Sequence, residues 1–193
     1  MFFYGIEQIF ADPLSILRIW EGGLSFHGGF IGVLISFFIF SKKLNIGFFD
    51  LADHIALAFP IGLGFVRIGN FLGGELLGRP TDFPWGMIFW SDPLQISRHP
   101  SQLYQAFFEG VVLFIILNLL VIKPKPKIFI SGMFLALYGS FRIFTEIFRM
   151  PDSHIGFDFL DIITRGQLLS TPMVIIGLLL IFLSYRNKNE TIS

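Results

Sequence analysis

The chain has 193 residues, zero formal net charge and no cysteine, and 53% of it is apolar against 15% charged. Its mean hydropathy of +0.71, with 26 phenylalanines, points to lipid rather than water as the main solvent, since soluble domains carry about 25% charge. Zero net charge argues against a nucleic-acid binder working through a basic face, and the missing cysteine removes disulfides, thiolate metal sites and a cysteine nucleophile.

The opening MFFYGIEQIFADP lacks the basic start and long apolar core of a cleavable signal peptide. Residues 2–20 are expected to form a short interfacial helix. A bilayer span needs about 20 mostly apolar residues, and five segments approach that: 24–40, 51–72, 101–122, 128–148 and 167–184. The predicted fold is therefore all-α: a single domain over 1–193, a polytopic transmembrane bundle of about five spans with an irregular outer-face loop region. The second span is interrupted by Pro60, several glycines and Arg67.

Lysines fall only at 42–43, at 123–127 and at 188, whereas the loops 73–100 and 149–166 carry Asp82, Asp92, Asp152, Asp158 and Asp161. Positive charge in short loops marks the cytoplasmic side. All three lysine clusters lie on one side, which puts the carboxyl terminus in the cytoplasm and the amino terminus outside. An outside amino terminus of this polarity predicts that a preceding segment is missing; translocation of a short tail without one is the alternative.

Charged groups cost several kcal/mol each at membrane depth unless paired or wetted. His27, Arg67, Glu75, Glu109, Arg142, Glu146 and Arg149 all lie at or near that depth, toward the outer leaflet. Arg142, Glu146 and Arg149, spaced i, i+4, i+7, share one helix face, as an ion-pair ladder between helices or an arginine held for an anionic ligand. Arg67 and Asn70, spaced i, i+3, open the glycine-rich run that continues through Glu75 and Gly78 to Arg79. Guanidinium forks suit phosphate oxygens and glycines let a ligand approach the backbone, so this run is read as an anionic headgroup site, with tight helix packing as the alternative. His27 sits at the outer end of its span, as a structural hydrogen-bonder or as a base. His54 lies away from the cluster, His99 precedes a helix start with Ser101 as its cap, and His154 lies in an outer loop. No zinc, serine-hydrolase or P-loop signature is present.

Taken in order, the blocks FHGGFIG (26–32), RIGNFLGGELLGRPTDFPW (67–85), RHPSQLY (98–104), YGSFRIFTEIFRMPD (138–152) and GQLLSTPM (166–173) resemble the prolipoprotein diacylglyceryl transferases. The resemblance implies transfer of the diacylglyceryl group of phosphatidylglycerol to the lipobox cysteine of a prolipoprotein signal peptide, with a thioether formed and glycerol phosphate released. It implies a multi-pass protein of the bacterial inner membrane, without cofactor or metal, acting toward the periplasmic leaflet. Arg67 and Arg142 would hold the phosphate, His27 would take the thiol proton, and Asn70, Glu75, Gly78 and Glu146 would shape or brace the site. The family pattern also extends upstream by at least one span. Val66, Gly73 and Gln105 stand where the family usually has Gly, Asn and Glu, and the loop from Trp85 to Arg98 is short. A transporter of a small anionic solute and an inactive, truncated lipid-binding scaffold are the alternatives, since buried ionisable groups also line transport paths.

Overall fold

A computed structural model of the chain describes the backbone of residues 26–150, 157–159 and 163–190, and the side chains of 32–150, 164 and 166–186. The interfacial helix expected over 2–20, and His154, lie outside the described residues. Among the described residues, helical stretches form where the five spans were expected: α1 (Phe26–Leu44), α2 (Phe48–Leu72), α3 (Ser101–Leu120), α4 (Phe129–Glu146) and α5 (Arg165–Glu190). Of these, α2, α3 and the Gly166–Arg186 stretch of α5 are long and apolar enough to cross a membrane. α4 carries Ser131, Ser140, Arg142, Thr145 and Glu146, which lower its apolar character.

The chain divides into two compact units, Met1–Leu51 and Ala52–Ser193. In the first, α1 presents Val33, Leu34, Ile35, Phe38, Ile39 and Phe40 outward. Such an apolar exterior is unfavourable in water and suits acyl chains. Lys42 and Lys43 lie in the last turn of the helix, and the Ser41 hydroxyl donates to the Ile46 carbonyl at 2.7 Å to hold the turn that follows.

In the second unit, Ala56 of α2, Leu113 and Leu117 of α3, and Phe129 and Ile130 of α4 form the core. α2 and α3 run antiparallel. Asn118 donates to the Leu57 carbonyl at 3.3 Å near one end, and a Cβ on Gly110 would lie 2.8 Å from the Gly64 Cα further along. That approach lets the backbones touch, the usual device where helices pack in lipid without a hydrophobic drive. α4 and α5 pack likewise: a Cβ on Gly177 would meet the Ala136 amide at 2.5 Å and the Gly132 carbonyl at 2.7 Å. Asp53 of α2 caps α4, accepting from the Ile128 and Ser131 amides at 2.8 Å each. A carboxylate there meets amides that have no partner inside their own helix and complements the helix dipole.

Short strands β1 (Met87–Ile88) and β2 (Ser97–Arg98) pair antiparallel in the loop before α3, and β3 (Phe157–Phe159) pairs with β4 (Ile163–Thr164) before α5. Both pairs sit in the regions read as outer-face loops. Gly177→Val is expected to lower the thermal midpoint of the protein in detergent by several degrees. Gly62→Ala, at a site with nothing within 4 Å of the added Cβ, should leave it near wild type. A Gly177→Val midpoint equal to wild type contradicts close α4–α5 packing.

Candidate active site

Glu109 lies in the middle of α3 and is fully buried. Its Oε2 accepts from Arg67 Nε of α2 at 3.1 Å, while its Oε1 lies 3.7 Å from Arg142 Nη1 of α4 and accepts from the Thr145 hydroxyl at 3.3 Å. One carboxylate on one helix thereby ties arginines from two others. Around it the helix widens: Ala106–Val112 makes π-type bonds, with α-helical turns on either side. π-type bonds put more than four residues in a turn, against 3.6 in an α-helix. Mixing the two lets a four-residue repeat hold its face, so Gln105, Glu109, Leu113 and Leu117 are buried while Phe107, Val111, Ile115 and Leu119 are exposed.

Arg142 Nη2 also meets Glu146 Oε2 at 3.0 Å, and Arg149 Nη1 approaches the same oxygen at 3.9 Å. The expected pairing of Arg142 with Glu146 is present. Arg149 does not share their helix face: α4 ends at Glu146, and Arg149 is reached through tight turns in which its amide donates to the Glu146 carbonyl at 3.2 Å. The Tyr138 phenol lies in the electrostatic field of Glu109, Arg67 and Arg142. The two carboxylates thus serve several guanidiniums, and the contacts described for Arg67 and Arg142 do not use the whole fork of either. Among the described residues, Arg142 Nη1 is buried without a hydrogen-bond acceptor.

The glycine-rich run ends α2 and turns the chain back on itself. Gly74 adopts φ +64°, the left-handed conformation common just past a helix end, and the Glu75 amide returns to the Asn70 carbonyl at 2.9 Å. The same reversal lets Asn70 Nδ2 donate to Glu75 Oε2 at 3.0 Å, so two predicted site residues are in contact. Gln102 of α3 ties this corner down by donating to the Glu75 carbonyl at 2.5 Å. Gly78 acts through its backbone, which bridges to Arg149, and a Cβ there would strike the His99 carbonyl. His27 lies in α1, and its side chain is outside those described.

The loop between α2 and α3 has its own buried ion pair. Asp92 accepts from Arg98 Nε at 2.8 Å and from Nη2 at 3.0 Å, with 2% and 3% of the two side chains exposed. The Arg98 hydrogen bonds hold the Asp92 carboxyl below its ordinary range, against a smaller opposing effect of burial. Arg98 Nη1 reaches the Gly78 carbonyl at 3.3 Å and so joins the loop to the glycine run. Nearby, Trp85 Nε1 donates to the Tyr104 hydroxyl at 2.8 Å, which lies 3.2 Å from His99 Nδ1. Burial lowers the His99 pKa, favouring the neutral ring, which can accept the tyrosine proton. Ser101 does not cap α3: Pro100 holds the cap position, and the Ser101 hydroxyl donates to the Leu76 carbonyl at 3.2 Å.

Sequence spacing found Arg67, Asn70, Glu75, Arg142 and Glu146 but gave no role to Glu109, which it placed only among the buried charges. The signal for it was a lone carboxylate in an apolar span, with arginines in the spans before and after. Glu109→Gln is expected to destabilise the protein by about 3–5 kcal/mol, because two buried arginines lose a shared counter-charge; an unfolding midpoint within error of wild type contradicts that pairing. For Asp92, a depressed folded pKa means a contribution to stability that is present above the unfolded carboxylate pKa. That contribution is lost as pH falls through the folded value. Asp92→Asn should therefore be less stable than wild type at neutral pH and converge with it in acid, read from thermal midpoints across pH. A constant gap contradicts the ion pair.

The sequence model of the prolipoprotein diacylglyceryl transferase family matches residues 1–183. A phosphatidylglycerol–prolipoprotein diacylglyceryl transferase of Pseudomonas syringae pv. syringae (strain B728a) is 52% identical over 186 residues, covering 95% of this chain and 69% of that protein. The enzyme of the same name from Teredinibacter turnerae is 51% identical over 187 residues, covering 97% and 65%. That of Pseudomonas putida (strain KT2440) is 50% identical over 188 residues, covering 96% and 70%. With buried arginines of the motif blocks gathered on one carboxylate, and with identity near one half along almost its whole length, the chain belongs to the prolipoprotein diacylglyceryl transferase family.

Proposed function

We propose that this membrane transferase binds the phosphate of phosphatidylglycerol at Arg67 and Arg142. There it passes the diacylglyceryl group to the lipobox cysteine of a prolipoprotein. One observation carries the assignment: two arginines converge on a single buried carboxylate, and Arg142 Nη1, buried and 3.7 Å from it, has no hydrogen-bond acceptor among the described residues. A phosphodiester brings a negative charge and several acceptor oxygens, so it supplies what that donor lacks.

The reaction then follows from where charge moves. A cysteine thiolate of the signal peptide attacks the glyceryl carbon that bears the phosphate oxygen. The new carbon–sulfur bond forms as the carbon–oxygen bond breaks, and glycerol phosphate leaves with the bonding electrons. Negative charge grows on the leaving phosphate, where two preoriented guanidiniums stabilise it more than they stabilise the substrate. Glu109 and Glu146 set the arginine geometry and prevent mutual repulsion. Asn70 and Glu75 shape the adjoining corner, and Gly78 lets the chain before α3 pack closely beside it. His27 is the proposed acceptor of the thiol proton. The lysine clusters support an orientation with this end of the bundle in the periplasmic leaflet of the inner membrane and the carboxyl terminus in the cytoplasm.

Purified protein mixed with phosphatidylglycerol and a lipobox peptide should add the diacylglyceryl mass to the peptide cysteine. Arg142→Ala and Arg67→Ala are each expected to lower kcat/KM by about 100-fold or more, with Arg142→Lys recovering part of the loss. A variant lacking either guanidinium that turns over normally contradicts the phosphate clamp. His27→Gln with near-normal turnover removes His27 as the base.

A further inference from the structure

One buried side chain in the second unit is left unexplained by the phosphate clamp. Gln105 is 1% exposed, and among the described residues neither its amide oxygen nor its amide nitrogen has a hydrogen-bond partner. Buried amides are almost always matched, because leaving both ends of one unmet is costly. Glutamine at a lipid-facing or purely packed position would be replaced by an apolar residue at no loss. The position of Gln105 indicates what it awaits. It lies one turn before Glu109 on the buried face of α3, and three residues after Gln102.

The antiparallel arrangement of α2 and α3 brackets it. Glu109 meets Arg67 on one side of that level, and Gln102 meets the Glu75 backbone on the other. Two more unmet polar atoms belong to residues of this corner, Gln102 Oε1 and Asn70 Oδ1, both buried. Near this level, Asn70, Gln102, Gln105 and Arg142 thus hold polar atoms that the described residues do not satisfy. Arg142 carries the charge and suits a phosphate. The neutral amides have little to offer an anion beyond what the arginines provide, and they suit hydroxyls.

We propose that Gln105 is a specificity residue that recognises the free hydroxyls of the lipid's glycerol headgroup. This rests on the transferase reading above and names what the remainder of the same site recognises. A primary amide presents a donor and an acceptor side by side. A vicinal diol complements that pair: one hydroxyl accepts from the amide N–H while the other donates to the amide oxygen. The reach is suitable, since the four residues from Gln105 to Glu109 advance roughly 5 Å along this partly π-type helix, comparable to the three-carbon headgroup beyond a phosphate held at the Glu109 level. A headgroup without hydroxyls would leave the buried amide unmet, and sites built to hydrogen-bond a substrate hydroxyl reject analogues lacking it.

The test compares two donor lipids of identical charge, phosphatidylglycerol and phosphatidylpropanol, with the full chain and a lipobox peptide. Peptide mass and kcat/KM are the readouts, and elution and thermal midpoint are followed in parallel. Wild type is expected to prefer phosphatidylglycerol by about tenfold or more. In Gln105→Met, which keeps length and apolar volume, that preference should fall to nearly one. Gln105→Glu should keep most of it, because a carboxylate accepts from both hydroxyls. Retention of the full wild-type preference by Gln105→Met overturns the proposal and leaves a trapped water as the amide's partner. An equal loss in both variants assigns Gln105 to packing and also overturns it, as does a wild type indifferent to the two lipids. A wild type that transfers from neither lipid overturns the transferase reading, and this inference with it.

Discussion

The architecture of this site depends on a carboxylate placed where carboxylates are least welcome. Glu109 sits in the middle of an apolar helix with no exposed surface, and its charge is tolerable only because arginines from the helices on either side converge on it. The constraint works in both directions. The arginines would repel one another in a low-dielectric interior without the shared acid, and the acid would be a buried charge without a partner if they were removed. The contact therefore fixes α2, α3 and α4 against each other at one level of the bundle. It leaves each guanidinium with donors beyond those that Glu109 uses.

The rest of the second unit serves that contact. Small residues at Gly64 and Gly110 bring α2 and α3 close enough for Arg67 to reach across, and the α4–α5 contact at Gly132, Ala136 and Gly177 gives Arg142 and Glu146 a rigid support. Because lipid provides no hydrophobic drive between helices, close packing and buried polar pairs must do this together. The π-type stretch in α3 holds Gln105 and Glu109 on the buried face with the core leucines below. Rigid placement matters for the chemistry, since preorganised charge lowers a barrier only where it need not reorganise as the leaving group departs.

Much of this was legible in the sequence, for identifiable reasons. Helix positions follow from apolar length, which lipid makes an unusually strict rule. The Arg142–Glu146 pair follows from its i, i+4 spacing, whereas the Asn70–Glu75 contact across the glycines appears only in the fold. What the sequence could not display is tertiary. Nothing in AFFEGVV distinguishes a π-type turn from an α-helical one, and nothing local says that Glu109 pairs with Arg67, 42 residues away. Asp92 was read only as an acidic mark of the outer side; its bidentate contact with Arg98 appears only once β1 and β2 fold back. Arg149 was assigned to the helix face of Arg142 by spacing, but the helix stops at Glu146, so its approach to the same carboxylate comes through a turn.

Everything turns on where a lipid phosphate rests, and cryo-electron microscopy of the protein in nanodiscs containing phosphatidylglycerol tests that most directly. The phosphate should lie within hydrogen-bonding distance of both Arg67 and Arg142, with Glu109 still joined to the two arginines behind it. A headgroup ordered elsewhere in the bundle, with both guanidiniums saturated by protein groups alone, would contradict it.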